Sequence, residues 1–290
     1  MNKPLFTGAC TALVTPFLNG KLNYTMLERL IRRQVDAGIR AIVICGTTGE
    51  SATLSDQEKL ELYRLSKDFA GNDCLIIAGT GSNCTEHAVT LSKAAEDVGA
   101  DALLVVSPYY NKATSDGLLL HYRAVASEVK IPVIVYNVPS RTGVDIPVSV
   151  YRDISKIPNI VGVKEASSNI VKTAKIKASC PGFTIWSGND DQSVPVMSLG
   201  GAGVISVLSN VLPKETQAMT QAALDGDFDT AAALQIRLLP LIEALFCEVN
   251  PIPVKAAMEL IGFDCGGCRL PLTSMSAENR IHLKKVLSSL

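Results

Sequence analysis

The chain has 290 residues, 47% apolar and 19% charged, enough apolar matter for one large core of the size an α/β barrel needs. A formal net charge of −1 without any basic stretch disfavours nucleic acid or an anionic membrane surface as a partner. No run approaches the ~18 uninterrupted apolar residues of a membrane span.

Residues 1–17 are moderately apolar but broken by Gly8 and Pro16, with no apolar core ahead of a small-residue cleavage site. They read as a first strand, not a signal peptide. Apolar runs then recur at 9–14, 41–45, 75–78, 102–106, 133–136, 160–163, 184–186 and 203–207. Most are rich in Val and Ile and are continuous, as parallel strands buried on both faces are. Between them Leu27, Leu30, Ile31 and Val35 repeat at helical spacing. Ser55 with Glu58 reads as a capping box opening the next helix, and Ser168 and Asp191 read as later caps.

Strand starts every ~20–35 residues match the βα repeat. Eight strands in strict alternation predict a (β/α)₈ TIM barrel. The competing doubly wound open sheet lacks its Gly-rich phosphate turn after the first strand. Beyond the eighth run, three helices are predicted around 228–245, 251–261 and 277–287, with a loop over 262–273. The expected organisation is a barrel over 1–224 with a C-terminal helical region, 225–290, packed on it.

Eight cysteines are scattered, several inside apolar runs, as free thiols of a reduced compartment would be, so a cytoplasmic location is expected. Cys265 and Cys268 lack two further zinc ligands and a helix N-terminus for redox work, so no function is assigned to them. His87, His121 and His282 form no metal pattern, and His121 is expected on an exposed helix face. No metal site is predicted.

Barrel active sites lie at the C-terminal ends of the strands. Lys164 ends the sixth run, Ile160 to Val163. Burying an ammonium costs desolvation and favours the neutral amine, which forms a Schiff base with a ketone. The plainer reading pairs this lysine with Glu165 or an Asp. Gly46, Thr47, Thr48, Gly49 and Glu50 follow the second run. Their hydroxyls and turn N–H groups suit a small carboxylate, though an ordinary strand-to-helix turn looks the same, with Glu50 as a first-turn acid. After the fifth run Tyr136 offers a proton relay and Arg141 a carboxylate fork; a rim packing residue and a surface charge are the alternatives. Tyr109 and Tyr110 follow the fourth run, as pocket wall, subunit contact or proton carriers. Four strand ends thus supply an amine, a carboxylate cradle, a proton relay and a cation.

Gly46 to Glu50, Tyr136-Asn-Val-Pro139 and the Lys164 strand end resemble, in this order and spacing, the pyruvate-dependent class I aldolases that include dihydrodipicolinate synthase and N-acetylneuraminate lyase. The resemblance runs over nearly the whole chain. Pro139-Ser-Arg-Thr-Gly143, Tyr109-Tyr110-Asn111 and Arg269-Leu-Pro271 resemble the synthase branch. The resemblance implies pyruvate and L-aspartate 4-semialdehyde as partners. Lys164 would form the imine, Thr47 and Thr48 would hold the pyruvate carboxylate, and Arg141 the aldehyde's carboxylate. Tyr136, Thr48 and Tyr110 would relay protons, with Tyr110 crossing from a neighbouring subunit, and backbone carbonyls of Gly188 and Ile205 would line the pocket. It further implies no cofactor and a homotetramer built as a dimer of dimers.

Many such enzymes bind lysine as an inhibitor at the dimer interface, at positions matching Ser51, Ala52, Lys59, Asn83, His87 and Tyr109. Here Lys59 stands where sensitive enzymes typically carry histidine, and His87 where they carry glutamate. A cation added and an anion lost both disfavour a cationic effector, so feedback inhibition is expected to be weak or absent. A sialic-acid or keto-deoxy sugar-acid aldolase is the nearest alternative, against which Arg141 argues. A non-catalytic carboxylate-binding barrel would have no need for the amine.

Overall fold

A computed structural model describes residues 3–290; Met1 and Asn2, part of the predicted first strand, lie outside the described residues. Eight parallel strands form a closed barrel in chain order: β1 (Gly8–Ala12), β2 (Ala41–Ile44), β3 (Leu75–Gly79), β4 (Ala102–Val106), β5 (Val133–Asn137), β6 (Ile160–Glu165), β7 (Thr184–Ser187) and β8 (Gly203–Ser206). Closure is made by β8 on β1, from Gly8 opposite Gly203 to Thr11 opposite Ser206. The (β/α)₈ expectation is met, each apolar run becoming a strand within a residue or two of its predicted ends.

Continuous apolar runs are needed because both strand faces are buried. Side chains such as Cys10, Val43, Ile77, Leu104, Ile134 and Ile205 fill the barrel, while Ile42, Ile76 and Leu103 pack outward with the helices. Phe6 stacks on Trp186 with ring centroids 4.8 Å apart, and the Trp186 indole N–H donates to the Phe6 carbonyl at 3.2 Å. Trp186 is the β7 register partner of Lys164, so this aromatic pair fills the barrel next to that lysine.

A short hairpin, Phe17–Leu18 with Lys21–Leu22, was not predicted. Its turn is Asn19-Gly20, both at positive φ, the dipeptide that favours a tight hairpin turn. Ser55 and Glu58 do form the capping box of helix Asp56–Ala70. The other two caps differ. Asn169 caps helix Ile170–Ser179, accepting from the Lys172 N–H, while Ser168 sits at φ 59. Asp191 lies inside a 3₁₀ turn, Asp190–Gln192, and caps no helix.

His121 is not on an exposed face. It is 3% exposed, on the side of helix Ser115–Ser127 that packs against helix Thr85–Asp97, with Nδ1 3.0 Å from the Thr85 hydroxyl. Burial pushes its pKa down to about 4. Beyond helix Pro213–Leu224, three helices follow at Phe228–Leu245, Ile252–Leu260 and Ala277–Leu287. The first packs against Pro213–Leu224 and against the last. All eight cysteines are free, and burial pushes the Cys45 and Cys265 thiols up to about 12. No described helix is long and apolar enough to cross a membrane.

Candidate active site

The strand alternation at the end of β6 turns Lys164 inward and Glu165 outward. Lys164 is 5% exposed, and its Nζ lies 4.5 Å from the ring centroid of Tyr136, its register partner on β5. Among the described residues no carboxylate pairs with it. Glu165, the partner that the plainer reading requires, is engaged behind the strand. It accepts from Asn137 Nδ2 at 2.9 and 3.1 Å, from the Tyr151 hydroxyl at 3.2 Å and from the Ser167 N–H at 2.8 Å. Asn137 also donates to Asp145 at 2.9 Å, and Asp145 pairs with Lys172. The strand ends carrying Tyr136 and Lys164 are therefore tied together from outside the barrel, which leaves the lysine amine uncommitted.

Gly188, just past β7, donates its N–H to the Glu165 carbonyl at 2.7 Å. A Cβ at this position would come within 2.6 Å of Ala166 Cβ and 3.2 Å of Lys164 Cε, so only glycine fits beside the lysine. Ile205 lies on β8, fully buried in the same interior cluster as Tyr136.

After β2 the chain turns sharply at Cys45, φ 55. The turn passes so close to β3 that a Cβ on Gly79 would meet the Cys45 carbonyl oxygen at 2.3 Å. The loop closes on itself through Gly49 N–H to Gly46 O and Glu50 N–H to Thr47 O, both 3.1 Å. Thr15 anchors it from β1's side, donating to the Gly49 carbonyl at 2.7 Å. Glu50 is not a first-turn helix acid. It sits at φ 56 with its side chain buried, accepting from Lys255 Nζ at 2.6 Å and from the Arg269 N–H at 2.8 Å. Thr48 is also buried, and its hydroxyl oxygen accepts from Asn250 Nδ2 at 3.0 Å.

A cavity of about 650 Å³ opens over these strand ends. Thr47, Tyr136, Arg141 and Asn250 line it, Arg141 from the short helix Pro139–Thr142. Lys164, Thr48, Gly188 and Ile205 are not among its lining residues; Lys164 adjoins it through the Tyr136 ring and Thr48 through Asn250. Tyr110 is not brought to the group. It stands at φ 75 and is 89% exposed, whereas its neighbour Tyr109 borders the cavity. Ser51, Ala52, Lys59 and His87 border it too, and Asn83 lies next to the lining residue Ser82. Asp56 is shared by Lys59 at 3.3 Å and His87 Nε2 at 2.8 Å. Among the described residues no group of His, Cys, Asp and Glu is placed to hold a metal.

Sequence reasoning missed Asn250 and Lys255, which reach the Gly46 to Glu50 loop from 202 and 205 residues along the chain. A signal existed for one of them: Lys255 is the only charge in the apolar stretch 251–258.

A profile of the dihydrodipicolinate synthetase family matches residues 5–290. The 4-hydroxy-tetrahydrodipicolinate synthase of Caldicellulosiruptor saccharolyticus is 51% identical over 285 residues, 98% of this chain and 97% of that one. A dihydrodipicolinate synthase from Cyanidioschyzon merolae, solved with lysine bound, superposes with a TM-score of 0.96 at 41% identity and covers 99% of both chains. A chloride-inhibited synthase from Acinetobacter baumannii, solved with pyruvate, gives a TM-score of 0.95 at 40% identity and covers 98% of both.

Proposed function

The chain belongs to the dihydrodipicolinate synthetase family, whose enzymes are lyases of the class I aldolase type, and we propose that it condenses pyruvate with L-aspartate 4-semialdehyde through an imine on Lys164. The observation that carries this reading is a buried lysine at a barrel strand end, packed against a tyrosine and with no carboxylate partner among the described residues.

In this mechanism the Lys164 amine adds to the pyruvate ketone and water leaves, giving the imine, while Thr47 and Thr48 hold the carboxylate. Loss of a methyl proton gives an enamine. Its carbon attacks the aldehyde, whose own carboxylate is gripped by Arg141 at the cavity wall. The substrate's amine then displaces the lysine, closing the ring to 4-hydroxytetrahydrodipicolinate and freeing the enzyme. Backbone carbonyls of Gly188 and Ile205 line the pocket around the imine. Tyr136, Thr48 and Tyr110 relay the protons. The Tyr110 ring is exposed and lies outside its own cavity, which supports its delivery to a second copy, hence a dimer and, by pairing of dimers, a homotetramer. Residues 3–224 carry the proposed catalytic groups, and 225–290 form the helical region packed on the barrel, which adds Asn250 to the cavity wall. The eight free thiols suit a cytoplasmic setting.

Reducing the enzyme with borohydride in the presence of pyruvate, then weighing it, tests the chemistry. A covalent pyruvate adduct is expected on the native chain and none on Lys164→Ala; an adduct that survives the substitution, or none at all, sinks the proposal. Turnover of L-aspartate 4-semialdehyde but not of N-acetylneuraminate separates it from the sugar-acid aldolases.

The red-algal relative binds lysine. In this chain Lys59 and His87 both lean on Asp56, leaving that corner of the cavity without a spare anion for a second ammonium. Lysine is therefore a weak inhibitor or none, and strong inhibition at micromolar lysine would overturn this.

A further inference from the structure

We propose that Asn137 and Glu165 are positioning residues: their buried polar pair behind the barrel wall fixes the register of β6 on β5 and so keeps the Lys164 amine inside the barrel beside Tyr136. The inference rests on the reading of Lys164 as the imine-forming amine and Tyr136 as its proton carrier.

Side chains alternate along a strand, so a slip of one residue turns all of them to the other face. The β5–β6 ladder is open to such a slip, because its register already shifts once. Val133 pairs with Ile160 but Ile134 pairs with Gly162, which leaves Val161 as an extra residue in β6. Beyond that bulge Val135 faces Val163, Tyr136 faces Lys164 and Asn137 faces Glu165. Val133, Val135, Ile160 and Val163 join the outer apolar layer, and Val161 joins the interior one. With both faces apolar, the hydrophobic pattern does not say which residues of β6 point inward. A slip of one place would set Lys164 among the outer apolar side chains and Glu165 inside the barrel.

The polar pair at the end of the ladder forbids this. Asn137 and Glu165 are 0% and 4% exposed, and Asn137 Nδ2 donates to both carboxylate oxygens, at 2.9 and 3.1 Å. The amide fits one way round only, since Nδ2 also donates to Asp145 at 2.9 Å while Oδ1 accepts from the Ile146 N–H at 3.1 Å. Glu165 in turn accepts from the Ser167 N–H at 2.8 Å and from the hydroxyl of Tyr151, on helix Val148–Ile154, at 3.2 Å. Shifting either strand by one place would strip a buried carboxylate of these donors, a far larger cost than mismatched apolar contacts. The lock reaches past Lys164 on the main chain as well. The Ala166 N–H donates to the Asn137 carbonyl at 2.9 Å, and the Gly188 N–H to the Glu165 carbonyl at 2.7 Å. An apolar pair at 137 and 165 would pack as its neighbours do but would leave the register open.

The test compares Glu165→Leu and Asn137→Ala, which remove the pair from either strand, with Tyr151→Phe, which removes a donor to the same carboxylate from outside the two strands. The rate at which the borohydride-trapped pyruvate adduct forms is measured with steady-state kcat and KM, at a temperature where circular dichroism shows every variant folded. Misplacing reacting groups by about 1 Å costs on the order of 10²-fold. Adduct formation should therefore slow by about 10- to 100-fold in Glu165→Leu and Asn137→Ala. Glu165→Gln, which keeps an acceptor for Asn137, should be slowed less. Tyr151→Phe should lower the thermal midpoint yet stay within about threefold of the native rate. Folded Glu165→Leu and Asn137→Ala that form the adduct within about threefold of native, or Tyr151→Phe slowed as much as they are, would overturn the inference. Should Glu165→Leu not fold, Glu165→Gln and Asn137→Ala carry the comparison by the same criteria. A double-mutant cycle adds a second check: on a Tyr136→Phe background Asn137→Ala should cost less than about a further threefold, and losses that multiply refute the role. A native enzyme without an adduct, or an adduct that survives Lys164→Ala, refutes the imine reading and this inference with it. An adduct on Lys164 that forms as fast without the polar pair refutes the positioning alone.

Discussion

Lys255→Met tests the buried Glu50–Lys255 pair by keeping the length of the side chain and removing its charge. In the native chain Glu50 Oε1 accepts from Lys255 Nζ at 2.6 Å and Oε2 from the Arg269 N–H at 2.8 Å, with the Lys255 and Glu50 side chains 3% and 0% exposed. The ammonium also donates to the Gly267 carbonyl at 3.0 Å and lies 4.3 Å from the Phe17 ring centroid. Without it the carboxylate, 0% exposed, keeps only one backbone donor. Breaking a buried pair from one side costs about 3–5 kcal/mol. At about 2–4 °C per kcal/mol for a large domain, Tm should fall by roughly 6–20 °C. Replacing both partners, Glu50→Leu with Lys255→Met, removes the orphaned charge and should recover most of that loss. Thermal melts and urea unfolding by circular dichroism, at one protein concentration, measure both variants. A loss below about 1 kcal/mol in the single variant, or a double variant no more stable than the single, would refute the reasoning.

The buried imidazole of His121 makes stability depend on acid. Its folded pKa, about 4, lies below the ordinary 6.5, so between those values the unfolded chain takes up the proton first. Its contribution is complete above pH 6.5 and is lost as pH falls toward 4, by about 3 kcal/mol in all. His121→Phe should flatten the fall of the urea midpoint over that window; equal slopes in the two proteins would count against it. Gly188→Ala drives a methyl to 2.6 Å from Ala166 Cβ and 3.2 Å from Lys164 Cε. It should lower kcat/KM for pyruvate more than about tenfold while costing only about 1–3 kcal/mol of stability. Unimpaired kinetics would show that the lysine does not need that space.

What could be read from the sequence is what depends on neighbours in the chain. Strands buried on both faces must be continuously apolar, so β1 to β8 stood out, and the capping box at Ser55 and Glu58 spans only three residues. Lys164 was conspicuous because a charge at the end of such a strand is costly. Features decided by tertiary partners were hidden. His121 is acceptable inside because Thr85, 36 residues away, meets one ring nitrogen. Glu50 looked like a helix acid until Lys255 and Arg269 closed on it, and Ser168 yielded the cap to Asn169 because its own backbone had turned left-handed.

The same distinction explains why the site's polarity was harder to find than its chemistry. Reactive groups sit at strand ends, where the barrel's geometry announces them, but some of the groups that orient them come from wherever the chain returns. Here it returns through the C-terminal helices. Asn250 reaches Thr48 and Lys255 reaches Glu50, while Arg269 ties the following loop to Glu58 at 2.6 Å. That last pair holds the Glu58 carboxyl near 2, well below its ordinary range, and pins the start of the helix that follows the Gly46 to Glu50 loop. A region that reads as a helical addition to a finished barrel thus fixes the Gly46 to Glu50 loop, the carboxylate cradle of the proposed mechanism. Substitutions at 250, 255 or 269 should therefore alter that loop, whereas substitutions of exposed Ile236 or Ile281 on the outer helices should leave it in place.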